Sequence, residues 1–196
     1  MQPIVTPDEM RAIDASATVP VEVLIDRAGR AVERVAVQMM GGTYGRVVHV
    51  IAGQGNNGND GRVAARRLAA RGVQVRVHPV SECPPVLPPA DLVIDAGFGT
   101  GFRGTWRSPD VGGTRVLAVD IPSGVDALTG EVAGRVLHAE RTVTFAALKP
   151  GILLGAGAVA AGHVEVADIG LEVGPRSMGL LEASDVSQWL PAREPN

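Results

Sequence analysis

The sequence predicts an α/β fold built on a mostly parallel sheet with helices on both faces. Continuous apolar runs at residues 47–52, 92–95 and 116–120 have the pattern of strands buried on both sides. Stretches with apolar residues three and four apart lie between such runs, as helices connecting parallel strands do. Clusters of glycine, asparagine and aspartate follow the runs directly, which places polar groups at strand ends.

The elements follow in order. Thr6-Pro7-Asp8-Glu9 reads as a capping box, with Thr6 as N-cap and Pro7 at the first helical position. A second helix is expected from Val21 to Met40. Val23, Leu24, Ala28, Ala31, Val32, Val35, Ala36 and Met39 make its apolar stripe, and Gly41-Gly42 ends it. Residues 47–52 make the first strand between Gly45 and Gly53. A helix is expected over 62–71, closed by Gly72, and an alternating strand over 73–78. Residues 84–89 are a proline-rich connector, and strands at 92–95, 116–120, 141–145 and 163–167 complete the sheet.

With 196 residues, 45% hydrophobic and 20% charged, the chain suits one packed domain. A formal net charge of −3 and only 3% aromatic residues argue against a nucleic-acid binder. The single cysteine, Cys83, forms no internal disulfide, so a reducing, cytoplasmic compartment is expected. It sits in the proline-rich stretch and reads as a surface-loop residue rather than a nucleophile. No segment resembles a signal peptide, and no run reaches the ~20 apolar residues that a membrane span needs. The four histidines are dispersed, without metal-ligand spacing, and receive no role.

The loop after the first strand, residues 53–61, is the most informative segment. Gly53, Gly55 and Gly58 match the G-x-G-x-x-G spacing that lets a backbone approach a phosphate at a helix start. Asn56, Asn57, Asn59 and Asp60 surround the same turn with amides and a carboxylate, suited to a cation or a polar ligand. An ordinary dehydrogenase is disfavoured, because the second strand runs into His78-Pro79 and not into an acidic residue. On the next helix, Arg62, Arg66, Arg67 and Arg71 read as a solvated face, with phosphate binding by one of them as the alternative.

Asp95 and Asp120 each end an apolar strand, so both are expected at the carboxyl edge of the sheet, where open α/β folds bind ligands. Either suits cation ligation or proton transfer, according to its environment. Ser123, in Pro-Ser-Gly, is read as a ligand, since the hydrolase elbow G-x-S-x-G is absent. Gly99-Thr100-Gly101 offers amides and a hydroxyl for a phosphate, with Arg103 beside it. Lys149 follows another apolar strand, and is either drawn to the same edge or a solvated strand end.

These segments together resemble the NAD(P)H-hydrate epimerases, the YjeF amino-terminal domain family. The resemblance rests on 53–61, on Asp95 to Gly101, on Val119 to Asp126, on Thr129-Gly130 and on residues 144–151, with Ile13-Asp14 and Leu24 to Gly29 near the start. It implies a Rossmann-like three-layer α/β/α sandwich that interconverts the R and S epimers of hydrated NADH and NADPH. A homodimer, a potassium ion and a partner dehydratase, separate or fused, are implied with it. By matched motif, Asn57, Asp95 and Ser123 would hold potassium. Asn56, Asn57, Gly58, Asn59, Asp60, Gly99, Thr100, Gly101, Phe102, Arg103, Gly104, Thr105 and Asp120 would contact the hydrate, with Asp120 and Lys149 catalytic.

The chain departs from the family at Asn59, where a glycine is usual, and at Ile25, Asp26 and Arg27 in the early helix. Asn59 is expected to substitute through its tolerance of positive φ. Residues 1–178 are expected to form the epimerase domain. Residues 179–196, with Leu180 to Asp185 and Trp189 to Arg193, resemble a linker toward a dehydratase domain. The rival expectation is a non-catalytic nucleotide-ligand binding or interaction module of the same fold.

Overall fold

A computed structural model describes residues 1–189. In chain order its elements are β1 (Gln2–Ile4), α1 (Pro7–Ala15), α2 (Val21–Met40), β2 (Val47–Ala52), α3 (Asn56–Ala70), β3 (Gln74–Pro79), β4 (Leu92–Ala96), β5 (Trp106–Arg107), β6 (Val116–Val119), β7 (Gly134–Arg135), β8 (Arg141–Phe145), α4 (Gly155–Ala161), β9 (His163–Ala167), β10 (Met178–Leu180) and α5 (Ala183–Trp189). The α1 capping box forms as expected: the Thr6 amide donates to Glu9 Oε2 at 2.8 Å, and the Glu9 amide to Thr6 Oγ1 at 3.2 Å. Gly41, at φ 67°, ends α2 in the left-handed conformation.

Six strands form one parallel sheet in the order β3-β2-β4-β6-β8-β9. On one face α2 and α3 bury Val32, Val35, Ala36, Ala64 and Leu68 against Val48, Val50, Ile94, Leu117 and Val119. The expected sandwich is present, but its second outer layer is thin. Ordered loops carrying Leu87, Leu137 and Ala139 cover Ile51, Val93, Val116 and Ala118, and the short α4 closes the β8–β9 end. The sequence did not signal α4, whose Gly-Ala-Gly-Ala-Val-Ala-Ala lacks an apolar stripe.

After β2 the chain crosses through α3 to β3, then returns to place β4 on the other side of β2. The connections therefore diverge between β2 and β4, the switch point at which α/β sheets open a crevice.

Two expected boundaries move. α3 begins at Asn56 rather than 62, because Gly55 is its N-cap and the asparagine loop forms its first turn. Asparagine and glycine are poor helix formers, so the pattern hid that turn; tertiary packing overrides the propensity. A Cβ on Gly58 would lie 1.9 Å from Gly53 O, and only glycine lets helix and strand meet so closely. β3 runs over Gln74–Pro79, and Pro79, which lacks an amide hydrogen, is tolerated on this edge strand.

At the far end β10 pairs antiparallel with β1, and the terminal ammonium of Met1 meets Asp185 at 2.6 Å. Of the expected linker, Gly179 and Leu180 pair with β1, and Glu182 and Asp185 meet the terminal ammonium, while Leu190 to Arg193 lie outside the described residues. No helix among the described residues is long and apolar enough to cross a membrane.

Candidate functional site

A cavity of about 880 Å³ opens at the carboxyl edge of the sheet, over the switch point. The start of α3 walls it with Asn56, Asn57, Asp60 and Arg62, the loop after β4 with residues 97–102, and β6 with Asp120. Val21, Leu24, Ile25, Met10, Phe145, Ile169 and Leu171 form an apolar side.

Asp120 is the most constrained group. It is the residue after β6, sits at φ 66°, and is 8% exposed. A non-glycine residue held there stores strain, which persists only where several contacts over-determine it. Lys149 Nζ donates to its Oδ1 at 2.7 Å and Thr144 Oγ1 to the same oxygen at 3.1 Å. The Thr100 amide donates to Oδ2 at 3.2 Å, so this amide serves the aspartate and is not free for a phosphate as expected. Oδ2 is the oxygen next to Gly99, at the cavity wall.

Of the two places the sequence offered for Lys149, the structure takes the first: its Nζ is drawn to the edge that carries Asp120. It is 1% exposed, lies outside the cavity lining, and spends its remaining donors on Thr144 Oγ1 at 2.8 Å and Phe145 O at 2.9 Å. It is not a solvated strand end, and it reaches the cavity only through its contact with Asp120.

Asp60 lies one turn into α3, 6% exposed, with no hydrogen-bond partner for its carboxylate among the described residues. Burial, then the charges of Asp120 and Asp14, push its pKa up to about 8. Asp14 reaches the same cavity from α1, and partial burial raises its pKa too, opposed by Lys149. Asp60 was legible as a site residue but not as a buried carboxyl of raised pKa, and Asp14 was not legible as a site feature. The signal in the sequence was only an acidic residue inside each segment of family likeness.

Asp95 and Ser123 come together beneath the loop after β4. Ser123 Oγ donates to Asp95 Oδ1 at 2.6 Å and its amide to Oδ2 at 2.9 Å, both side chains being fully buried. The Phe98 amide donates to Ser123 Oγ at 2.9 Å. Burial raises the Asp95 pKa against the lowering effect of these hydrogen bonds. Asn57 packs against Gly99 in the same loop, and its amide oxygen and nitrogen are both buried with no partner among the described residues. Orphaned buried amides are rare, and both polar atoms of this one are left without a protein partner among the described residues. An amide, a carboxylate and a hydroxyl oxygen form the donor set of a hard cation. Among the described residues no group of three or more His, Cys, Asp or Glu side chains is placed to hold a metal ion.

The remaining expectations divide. Gly99 to Phe102 line the cavity; Arg103, Gly104 and Thr105 do not, and Arg103 turns back to Phe102 O. Asn59 needs no positive φ, because it lies within α3. Arg67 and Arg71 form salt bridges to Asp26 and Glu33 on α2; of the expected solvated face Arg66 and Arg71 are exposed, Arg67 is half-buried and Arg62 faces the cavity. Of the three early substitutions, Ile25 lines the cavity, Asp26 holds Arg67, and Arg27 donates to Ile169 O at 2.9 Å. Cys83 is half-buried against the second core face and burial raises its thiol pKa, which disfavours a nucleophile.

Residues 21–86 and 78–151 match the family described as YjeF-related protein N-terminus. An NAD(P)H-hydrate epimerase of Limosilactobacillus fermentum is 36% identical, over 84% of this chain and 95% of its own length. A bifunctional NAD(P)H-hydrate repair enzyme of Moorella thermoacetica is 33% identical over 86% of this chain and 40% of its own, and one of Escherichia coli 31% identical over 95% and 43%. The chain thus spans about two fifths of these bifunctional relatives. The crystal structure of the yeast protein YNL200c shares the fold, with a TM-score of 0.68 at 19% identity, over 93% of this chain and 98% of that one.

Proposed function

The chain belongs to the YjeF-related N-terminal family, and on that premise we propose that it is an NAD(P)H-hydrate epimerase, interconverting the R and S epimers of hydrated NADH and NADPH. The observation that carries the reading is Asp120, strained, buried and braced by Lys149, with one carboxylate oxygen at the wall of a cavity of nucleotide size.

The epimerised carbon bears a hydroxyl beside a ring nitrogen. Protonation of that hydroxyl breaks the C–O bond and releases water, leaving a cation shared between carbon and nitrogen. Water adding to the opposite face and losing a proton gives the other epimer. Two carboxyl groups with different environments suit the two proton transfers. Asp60, protonated at neutral pH, gives its proton to the departing hydroxyl; Asp120 takes one from the incoming water. In the reverse direction the roles exchange. The carboxylates of Asp14 and Asp120 also favour the developing cation electrostatically.

Asn57, Asp95 and Ser123 are the residues we assign to potassium. Bound there, the cation would supply fixed positive charge beside the polar end of the substrate. The orphaned Asn57 amide supports the assignment. A homodimer, a cytoplasmic location and a dehydratase partner, separate or fused, complete the proposal; relatives named as bifunctional NAD(P)H-hydrate repair enzymes, of which this chain spans about two fifths, support the fused form.

The test is to incubate the protein with separated R and S hydrates of NADH and follow their interconversion by chromatography. Acceleration above the spontaneous rate, lost in D120N, is expected. No acceleration by a folded protein would leave a binding module in place of the enzyme.

A further inference from the structure

The charges around the cavity are segregated. Its carboxylates, Asp14, Asp60 and Asp120, are close enough that Asp60 feels both of the others. Among the described residues its single cationic lining residue is Arg62. Arg62 Nη1 donates to Gly53 O at 2.7 Å and, more weakly, to Asn59 Oδ1 at 3.4 Å, and no carboxylate lies within salt-bridge distance among the described residues. Two further arginines, Arg67 on the same helix and Arg71 directly after it, do have carboxylate partners. The hydrogen bond to Gly53 aims the guanidinium and leaves Nε and Nη2 with donors to spare. A half-buried, aimed and unneutralised guanidinium in a ligand cavity has the chemistry of an anion receptor.

Its place in the sheet gives the direction. Gly53 follows Ala52, which lies level with Pro79 on the edge strand β3, and the cavity continues there along Pro79, Val80 and Ser81 without a carboxylate in its lining. Asp120 lies on the other side of β2, after β6. From β3 to β6 is three strand spacings, roughly 14 Å at about 4.8 Å each. That is the scale of two nucleotides joined through a pyrophosphate.

We propose that Arg62 receives a phosphate of the hydrated dinucleotide, so that the adenosine half lies over the β3 end and the hydrated ring lies at Asp120. The inference rests on the cavity being the hydrate site, and deepens it by giving the substrate an orientation. Asn59, which replaces the family's usual glycine, adds a second acceptor that steadies the guanidinium. The phosphate has two sources, the 2′-phosphate of the NADPH hydrate or the bridging pyrophosphate of both hydrates.

The test compares R62Q and R62K, which both keep a donor for Gly53 O, with the unsubstituted chain on the two hydrates. R62Q is expected to raise KM by about ten- to a hundredfold while kcat stays within about threefold, and R62K to recover part of the loss. A rise confined to the NADPH hydrate identifies the 2′-phosphate, and an equal rise for both identifies the pyrophosphate. Unchanged KM for both hydrates, or a fall in kcat alone, overturns the proposal, provided the variant melts like the unsubstituted chain. Calorimetry with adenosine 2′,5′-bisphosphate and with ADP separates this result from failure of the epimerase reading. If the unsubstituted chain does not epimerise, weaker binding of either probe by R62Q still supports the phosphate site, and equal binding rejects it.

Discussion

Lys149 and Asp120 are joined by a 2.7 Å ion pair in which the lysine is fully buried and the aspartate is held at φ 66°. The pair explains how the strain is maintained: Lys149 also binds Thr144 Oγ1 and Phe145 O, so it ties the residue after β6 to the end of β8. A buried pair broken on one side leaves an uncompensated charge and typically costs about 3–5 kcal/mol.

K149M is therefore expected to destabilise the protein by about that amount in chemical denaturation, and the D120N/K149M double variant by less than the sum of the two single changes. Additive losses would show that the contact does not hold the site together.

D120N tests the chemistry with little change of shape. Asparagine tolerates positive φ, so the backbone at 120 survives the change. Epimerisation is expected to fall about 10²- to 10⁴-fold, the usual worth of a positioned acid–base group, with circular dichroism unchanged. A folded D120N that keeps full activity removes Asp120 from the reaction.

Much of this arrangement was readable in the sequence, and the physical reason differs from part to part. β2, β4 and β6 announced themselves because strands buried on both faces are continuously apolar. Asp95 and Asp120 stood out because a charge directly after such a run must sit at the sheet edge. The first turn of α3 stayed hidden: Gly58 and the asparagines have poor helix propensity, and only their packing on Gly53 reveals the helix. Arg62 and Lys149 were ambiguous for another reason. Whether a long cation is solvated, buried or aimed into a cavity depends on neighbours far along the chain, such as Gly53 O for Arg62 and Asp120 for Lys149.

The orphaned amide of Asn57 predicts a cation effect on stability. Potassium is expected to raise the melting temperature more than sodium or choline at equal ionic strength, and N57A to abolish the difference. N57A should also lose less stability than a typical buried polar truncation when potassium is absent, since no hydrogen bond is broken. Equal melting in all three salts would remove potassium from the site.

Asp60 predicts a stability that falls on the alkaline side. Its pKa is about 8 in the folded protein and 3.8 ordinarily, so between those values the folded state holds a proton that the unfolded state has lost. Stability then declines as pH rises through this window, by at most about 1.4 kcal/mol per unit, and levels off above about 8. D60N, which cannot ionise, is expected to flatten the slope in denaturation between pH 6 and 8.5. An unchanged slope would mean that Asp60 is ionised throughout.

The His49–His78 pair acts in the opposite sense on the acid side. His49 is buried, its Nδ1 lies 3.0 Å from His78 Nε2, and the two rings bridge β2 and the edge strand β3. Such a contact needs one donor and one acceptor, so both rings cannot be charged together. Burial lowers both pKa values first; for His49 the adjacent His78 and then Arg76 add to it, and for His78 Arg76 does. With folded pKa values below the ordinary 6.5, the unfolded chain takes up protons first as pH falls. Stability is lost from about pH 6.5 downward until the folded rings also protonate. The rising contribution of Asp60 over the same range would mask the fall, so the measurement belongs in the D60N background. There, a steady loss of melting temperature from pH 7 to 5 is expected, and H49Q/H78Q should remove most of it. A D60N protein whose acid slope is indifferent to the histidine changes would show that β3 is held without them.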